Sequence, residues 1–304
     1  MVDRFYQGSL SANGLQFTTL EGSRPRPGDP RPVVLCLHGF PDHPRSFRDQ
    51  IPALTQAGYR VVAPTLRGYE PSSQPVDDDY HVIRMVEDVL GWIECLGALR
   101  VHLVGHDWGA VIGYQVAARA PERLLSLTTI AVPHLRRLGC GLLKLPGQLR
   151  NSWYTLFFQL RGVAELVVRR DDFAFLERLW RAWSPGWTPP EEELRLLRRT
   201  FRQPGVLTAA LRYYRAAIDP LSRAAAQSRA LAFAPITVPT LAITGETDGC
   251  IDTRLFDEMM RGADFPRGLK VRRVRGAGHF VHQERPAEVN ALLLEWLRRY
   301  DRGE

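Results

Sequence analysis

The chain has 304 residues, of which 45% are hydrophobic, 10% aromatic and 24% charged. This composition is that of a globular protein with a large core, and it excludes an intrinsically disordered chain. The net charge is +7 and the pI about 9.5, but the basic residues are scattered, so we interpret them as a solvated, arginine-rich surface and expect no nucleic-acid partner.

The cysteines and the start of the chain indicate the expected compartment. Cys36, Cys95, Cys140 and Cys250 are far apart and include no C-x-x-C motif, so neither a disulfide framework nor a metal site is expected. The first residues lack the basic and then apolar pattern of a secretion signal. No apolar run reaches the roughly 18 residues that a membrane span needs. We therefore predict a cytoplasmic protein without a membrane span.

Short apolar segments rich in β-branched residues alternate with segments of helical spacing. Near the start, Phe5–Leu10 and Gly14–Leu20 are predicted to form an antiparallel hairpin at one edge of a sheet. The later predicted strands are Val33–His38, Arg60–Pro64, Arg100–Gly105, Leu127–Val132, Thr240–Thr244 and Leu269–Val274. The predicted helices include Pro44–Ala57, Tyr80–Gly97, Trp108–Ala120 and Pro286–Arg298. This alternation predicts an α/β fold, a mostly parallel eight-stranded sheet with helices on both faces.

The alternation breaks between about Pro133 and Val238. This stretch has Pro and Gly punctuation, many aromatic residues and helical spacing. We predict that residues 133–238 form a helical cap inserted between core strands, folded over the carboxyl edge of the sheet. Residues 1–132 and 239–304 are predicted to form the core domain.

The motif GHDWG at residues 105–109 follows a predicted strand and opens a predicted helix. Its two glycines allow a tight turn that pushes the side chain of Asp107 into a cleft. A carboxylate is ionised at neutral pH and needs no base to act as a nucleophile, and the helix N-terminus favours its charge. The alternative is that Asp107 merely caps the helix, but the flanking glycines and the preceding strand favour a nucleophile.

The motif HGFP at residues 38–41 ends the first parallel strand. Such a turn can aim the backbone N–H of Phe40 into the cleft. Together with the N–H of Trp108, it would form an oxyanion hole for a tetrahedral intermediate. The alternative is an ordinary strand-ending turn.

Two polar motifs follow the last two predicted strands, GETD at residues 245–248 and GAGHF at residues 276–280. His279 can reach Asp107 and needs a carboxylate that fixes its tautomer. Asp248 is our choice, while Glu246 and Asp252 stay open as alternatives. Of the other histidines nearby, we expect His282 to lie behind the site or at the surface, and His106 to pack beneath the turn.

An aspartate nucleophile restricts the chemistry. Its attack on an acyl carbon would give a labile anhydride, whereas its attack on a saturated carbon that bears a leaving group gives an ester. A halide leaves without a proton, but an epoxide oxygen leaves as a strong base and needs an acid. Tyr154, Tyr213 and Tyr214 are candidates for that acid, and composition and spacing do not choose among them.

Over nearly its whole length the chain resembles an α/β-hydrolase-fold epoxide hydrolase of the soluble type, without the N-terminal phosphatase domain of the mammalian enzymes. The motifs that carry the resemblance are HGFPDHPRSFRDQIPAL (38–54), GHDWGA (105–110), SWYTLFFQLRGVAE (152–165), LRYYR (211–215), GETDG (245–249) and GHFVHQERP (278–286). The resemblance implies that Tyr154 and Tyr214 assist ring opening, with Tyr213 on the other face of their helix. Arg161 stands where the family often has proline.

The expected reaction adds water to an apolar epoxide through an ester on Asp107 and releases a vicinal diol. No cofactor is expected. The residues expected to contact the substrate are Trp108, Phe40, Pro41, Trp153 and Phe158. The alternatives are a haloalkane dehalogenase that uses the same nucleophile and an inactive, ligand-binding homologue. A homodimer is left open.

Overall fold

An eight-stranded sheet forms the centre of the protein. The computed structural model describes residues 5–24, 26 and 28–301, so the outermost residues of the predicted core ranges, 1–4 and 302–304, lie outside the described residues. The strands are β1 (Tyr6–Ala12), β2 (Leu15–Glu21), β3 (Val33–Leu37), β4 (Arg60–Pro64), β5 (Val101–His106), β6 (Leu124–Ile130), β7 (Thr240–Gly245) and β8 (Leu269–Val274).

The strand order is β1-β2-β4-β3-β5-β6-β7-β8. The β1–β2 and β2–β4 pairs are antiparallel and the remaining pairs are parallel. This arrangement confirms the predicted mostly parallel sheet and the antiparallel hairpin at its edge. Most strand ends differ from the prediction by one or two residues. The largest difference is at β6, which begins at Leu124 rather than Leu127 and ends where Ala131 takes a positive φ of 69°.

Helices cover both faces of the sheet. The helices are α1 (Gln50–Gln56), α2 (Val82–Cys95), α3 (Trp108–Arg119), α4 (Leu138–Lys144), α5 (Gln148–Asn151), α6 (Trp153–Phe157), α7 (Val163–Trp183), α8 (Glu191–Arg202), α9 (Val206–Ala217), α10 (Arg223–Ala232), α11 (Thr253–Met259), α12 (Val281–Glu284) and α13 (Pro286–Tyr300). Non-helical backbone at Arg170–Phe173 divides α7 into two helical stretches. No helix in the described part of the chain has the length and apolarity to cross a membrane.

The buried strand β3 shows how the two faces share the core. Its residues are all buried, and alternate side chains belong to different clusters. Leu35 joins the cluster that contains Val89 of α2, whereas Cys36 joins the one that contains Leu293 of α13. Because both faces are covered, the strand is a continuous apolar run rather than an alternating one.

The helices α4 to α10 all lie between β6 and β7 in the chain. We call residues 131–239 the helical insertion. The insertion starts at the carboxyl end of β6. Because β7 is parallel to β6, the chain then returns to the amino end of β7. The polar loops that follow β3, β5, β7 and β8 start at the same edge as the insertion, where parallel-sheet proteins bind ligands.

Candidate active site

Asp107 lies at the sharp turn between β5 and α3, with φ of 52° and ψ of −117°. A positive φ is rare for a residue other than glycine and marks strained backbone. The turn is tight, because a Cβ on Gly105 would collide with the carbonyl of Gly109 and a Cβ on Gly109 with that of Leu37. The carboxylate makes no capping hydrogen bond to α3. The turn therefore presents this side chain to the cleft, and the capping alternative does not hold.

Backbone N–H groups face the carboxylate of Asp107. The N–H of Phe40 donates a hydrogen bond of 2.7 Å to its Oδ1. Trp108 is the first residue of α3, where helix geometry leaves an N–H without an acceptor inside the helix. The predicted orientation of the Phe40 N–H is thus present, and one carboxylate oxygen already occupies the position of a candidate oxyanion.

His279 follows β8 and lies between the two aspartates. Its Nδ1 is 3.0 Å from Oδ2 of Asp248, and its Nε2 is 3.5 Å from Oδ2 of Asp107. The rival carboxylates are engaged elsewhere. Glu246 accepts the N–H of Gly276, and Asp252 accepts the N–H of Arg254. Of the three candidates, only Asp248 is in hydrogen-bond contact with His279.

The charges around His279 dominate its protonation. Burial alone would lower the pKa of this imidazole, but the carboxylates of Asp248 and Asp107 outweigh burial and raise its pKa to about 10. The two carboxylates therefore favour the protonated form of His279 in the free protein. Loss of the charge on Asp107 would remove part of that stabilisation.

The backbone around the acid and the histidine fixes both side chains. Asp248 Oδ1 accepts the N–H groups of Cys250 at 2.7 Å and of Ile251 at 2.9 Å. The carbonyl of Trp183, at the end of α7, accepts the N–H of His279 at 3.0 Å. The ring of Trp183 also packs 5.1 Å from the imidazole. Sequence reasoning did not single out Trp183, because its contacts with His279 join segments that are far apart in the chain.

Tyr154 in α6 and Tyr214 in α9 meet edge to face, with ring centroids 5.7 Å apart. The hydroxyl of Tyr154 is 3.3 Å from Sγ of Cys250, while that of Tyr214 is buried and has no hydrogen-bond partner among the described residues. Burial raises the pKa of both phenols well above its usual value, so both keep their protons. Tyr213 points away, as expected, and donates to the carbonyl of Arg67.

A largely apolar cavity of about 510 Å³ lies next to the carboxylate of Asp107 and the phenols of Tyr154 and Tyr214. Asp107, Trp108, Tyr154, Tyr214 and Cys250 all line it. The rest of its wall comes mainly from apolar side chains of α3, of the start of the insertion, of the ends of α9 and α10 and of α11, including Val111, Val132, Leu135, Leu138, Leu142, Ile218, Phe233 and Met259. The volume and lining are those of a pocket for a small apolar molecule.

The residues expected to contact the substrate differ in their position relative to the cavity. Trp108 lines the cavity, but Phe40, Pro41, Phe158 and Trp153 do not. Phe40 and Phe158 pack behind Tyr214, with ring centroids 5.3 and 5.0 Å from it. The carbonyl of Pro41 accepts the indole N–H of Trp180. Trp153 departs most from the prediction: it is 49% exposed, because it lies one residue from Tyr154 and so on another face of α6.

Two further histidines lie beneath the turn. The ring of His106 packs 5.0 Å from that of His279, as expected, and its Nε2 is 3.1 Å from the carbonyl of His279. His282 is fully buried, which excludes a place at the surface, and its Nε2 is 2.7 Å from Oγ of Ser46. Burial lowers the pKa of both imidazoles well below the usual range, so both are neutral supports of the site.

The chain was also compared with known proteins. Residues 32–286 match the protein family described as the alpha/beta hydrolase fold. The chain belongs to this family. It is similar to the AB hydrolase superfamily protein YfhM of Bacillus subtilis, with 32% identity over 88% of this chain and 90% of the relative.

The resemblance to epoxide hydrolases is confirmed. Epoxide hydrolase A of Mycobacterium tuberculosis is 32% identical over 95% of this chain and 96% of its own length. The crystal structure of epoxide hydrolase A from Mycobacterium thermoresistibile aligns with a TM-score of 0.80 at 30% identity, covering 97% of this chain and 98% of the other. This family member therefore matches epoxide hydrolases in both sequence and fold.

Proposed function

We propose that this hydrolase converts an apolar epoxide into a vicinal diol through a covalent hydroxyalkyl ester on Asp107. The observation that carries the proposal is a shared cavity: the carboxylate of Asp107 and the protonated phenols of Tyr154 and Tyr214 line the same apolar pocket. The names of the relatives, among them epoxide hydrolase A of Mycobacterium tuberculosis, support the same reaction.

In the first step, Oδ2 of Asp107 attacks a ring carbon and the bond from that carbon to the epoxide oxygen breaks. Oδ1 is engaged by the N–H of Phe40, which leaves Oδ2 to react. The leaving oxygen becomes an alkoxide, and it receives a hydrogen bond and then a proton from Tyr154 or Tyr214. General acids placed in this way contribute roughly 10²–10⁴-fold to a rate.

In the second step, His279 takes a proton from water, and the resulting hydroxide attacks Cγ of Asp107. The negative charge that develops on Oδ1 is held by the N–H groups of Phe40 and Trp108. The bond between Cγ and the substrate-derived ester oxygen then breaks, that oxygen takes the proton from His279, and the diol leaves. Asp107, regenerated as a carboxylic acid, returns its own proton to His279. Esterification removes the charge of Asp107, which lowers the pKa of His279. Before the second step the imidazolium therefore gives up its proton, which passes through solvent to the phenolate left by ring opening, and the neutral imidazole then acts as the base.

The helical insertion has a defined part in this proposal. Residues 133–238 act as a cap that supplies Tyr154 and Tyr214 and covers the carboxyl edge of the sheet. Water that reaches Asp107 from the cavity would meet His279, whose Nε2 lies 3.5 Å from Oδ2 of Asp107 and is buried without a hydrogen-bond partner among the described residues. The same apolar wall favours an apolar epoxide over a charged one.

A single-turnover reaction in oxygen-18 water tests the ester. Enzyme in excess over styrene oxide is expected to release a first diol without solvent label, because its new oxygen comes from Asp107. Enzyme that has first turned over repeatedly in labelled water, and is then moved to ordinary water, should release labelled diol. Label in the first diol would mean direct attack by water. Bromide release from a bromoalkane with no diol formation would favour a dehalogenase instead.

A further inference from the structure

The outer surface of the helical insertion carries a row of exposed apolar side chains. They lie on α4, α5, α6, the turn after α6 and the start of α7, and they are Leu143, Leu149, Trp153, Leu156, Leu160 and Val163. We call these six residues the apolar surface. Leu143 is 86% exposed, and Trp153 is by far the most exposed tryptophan in the described chain. Single exposed leucines are ordinary, but so many within one short segment indicate a surface that is covered in use.

The charged side chains of the segment that carries the apolar surface are almost all positive. Residues 123–164 contain neither Asp nor Glu, although Arg and Lys occur throughout. Arg136, Arg137 and Lys144 pair with acidic residues of the core. Arg150 and Arg161, in contrast, are exposed and make no ion pair within the described part of the chain. The apolar surface is therefore flanked by positive charge that nothing acidic in its own segment offsets.

The apolar surface is continuous with the wall of the candidate active site. Leu149 is exposed and also lines the cavity, and Leu142, the neighbour of Leu143, lines it too. Ile218 and Phe233 are likewise both exposed and part of the lining. A path of apolar side chains thus leads from the outside of the insertion to Asp107.

We infer that the apolar surface docks on an anionic phospholipid bilayer, with the cavity facing the lipid. Leucine and tryptophan side chains would enter the headgroup region, while Arg150 and Arg161 would contact lipid phosphates. A segment that contains Arg and Lys but neither Asp nor Glu matches an anionic membrane and explains why lipid, rather than a neutral partner, is the expected occupant. The role in substrate delivery rests on the proposed function, since an apolar epoxide concentrates in lipid; the docking itself does not.

Co-sedimentation with vesicles, without any epoxide, tests the docking. The wild-type chain is expected to bind vesicles of phosphatidylcholine mixed with phosphatidylglycerol, and to bind vesicles of phosphatidylcholine alone more weakly. High salt should weaken binding to the mixed vesicles, because it screens the arginine contacts. On binding, the fluorescence of Trp153 should shift to shorter wavelength and become protected from a water-soluble quencher, and Trp153→Phe should remove most of that change.

A matched pair of variants separates docking from general effects of added charge. Leu143→Glu combined with Leu156→Glu should weaken vesicle binding roughly tenfold or more. Leu99→Glu is the control, because Leu99 is also 86% exposed but lies before β5, at the opposite end of the sheet. Neither Leu143, Leu156 nor Leu99 lines the cavity, so all variants should hydrolyse a water-soluble epoxide at the wild-type rate.

Several outcomes would overturn the inference. One is failure of the wild-type chain to bind the mixed vesicles. Another is equal binding by the double variant and the Leu99→Glu control. A third is a stable dimer in solution that the double variant converts to a monomer, because a second copy would then cover the apolar surface. A chain that binds vesicles but forms no diol from any epoxide would refute the proposed function and leave the docking intact.

Discussion

The backbone N–H of Phe40 donates a 2.7 Å hydrogen bond to Oδ1 of Asp107, although the two residues belong to different strand-ending turns. This contact gives the two oxygens of the Asp107 carboxylate different partners. Oδ1 is held by the backbone, while Oδ2 lies 3.5 Å from Nε2 of His279. The proposed two-step ester mechanism requires such a difference, because it uses one oxygen to carry charge and the other to react.

Replacement of the base should trap the intermediate. In His279→Gln, ring opening by Asp107 is expected to proceed while ester hydrolysis stops, because no group remains to deprotonate water. Intact-protein mass spectrometry should then show an increase equal to one substrate molecule. The double variant Asp107→Ala/His279→Gln is the control and should show no adduct. An unmodified His279→Gln protein that still turns over substrate would exclude His279 as the base.

The protonation of His279 should depend on the charge of Asp107. In the wild type the pKa of His279 is raised to about 10, so its imidazole should remain protonated at neutral pH and lose its proton only in alkaline solution. Asp107→Asn mimics the neutral ester and should lower that pKa. Nitrogen-15 NMR titration of the labelled histidines measures both values. Identical titration in the two proteins would show that Asp107 does not control the base.

Removal of both cavity phenols should slow ring opening more than ester hydrolysis. For Tyr154→Phe/Tyr214→Phe we expect a loss of about 10²–10⁴-fold in the rate of ester formation, measured by rapid quench under single-turnover conditions. Tyr213→Phe is a matched control, since it deletes a buried phenol next to Tyr214 that bonds to the carbonyl of Arg67. Its ring-opening rate should be unchanged. A larger effect on hydrolysis than on opening would contradict the acid role.

The turn that carries Asp107 should not tolerate a methyl group. Gly109→Ala would press a Cβ against the carbonyl of Leu37, so β3 and α3 must move apart at a cost of about 1–3 kcal/mol in the free energy of unfolding. Gly139→Ala in α4 is the comparison, because its Cβ would meet nothing within 4 Å. That change should be neutral or stabilise by up to about 1 kcal/mol. Thermal and urea unfolding measure both, and equal stability of the two variants would contradict this account.

Much of the sheet was predictable because its strands are buried on both faces. The predicted bounds of Arg60–Pro64 and Leu269–Val274 are those of β4 and β8. The start of β6 was harder, since Leu124 follows a short 3₁₀ turn at Pro121–Arg123 that looks like a break rather than the approach to a strand. In general, an apolar run locates a strand well, but its ends depend on pairing with neighbours.

The candidate site was predictable where a motif fixes local backbone geometry. The turns at Asp107 and Phe40 follow from glycine positions and from strands that end at one edge. Trp153 shows the limit, because aromatic side chains in a short helix do not reveal which of them faces inward. The contact between Tyr154 and Cys250 was likewise out of reach, since it joins the insertion to the loop after β7 through tertiary packing alone.

The contact between Tyr154 and Cys250 also bears on whether a reactive ligand could inactivate the protein. Burial raises the pKa of Cys250, so its sulfur stays a neutral thiol, and thiols attack carbon far more slowly than thiolates do. Under the proposed mechanism, an alkylating ligand in this pocket would react with the carboxylate of Asp107, whose ester water can hydrolyse, and only slowly with the thiol of Cys250, whose adduct would be permanent. The low-dielectric wall would then protect the protein against inactivation by its own substrate.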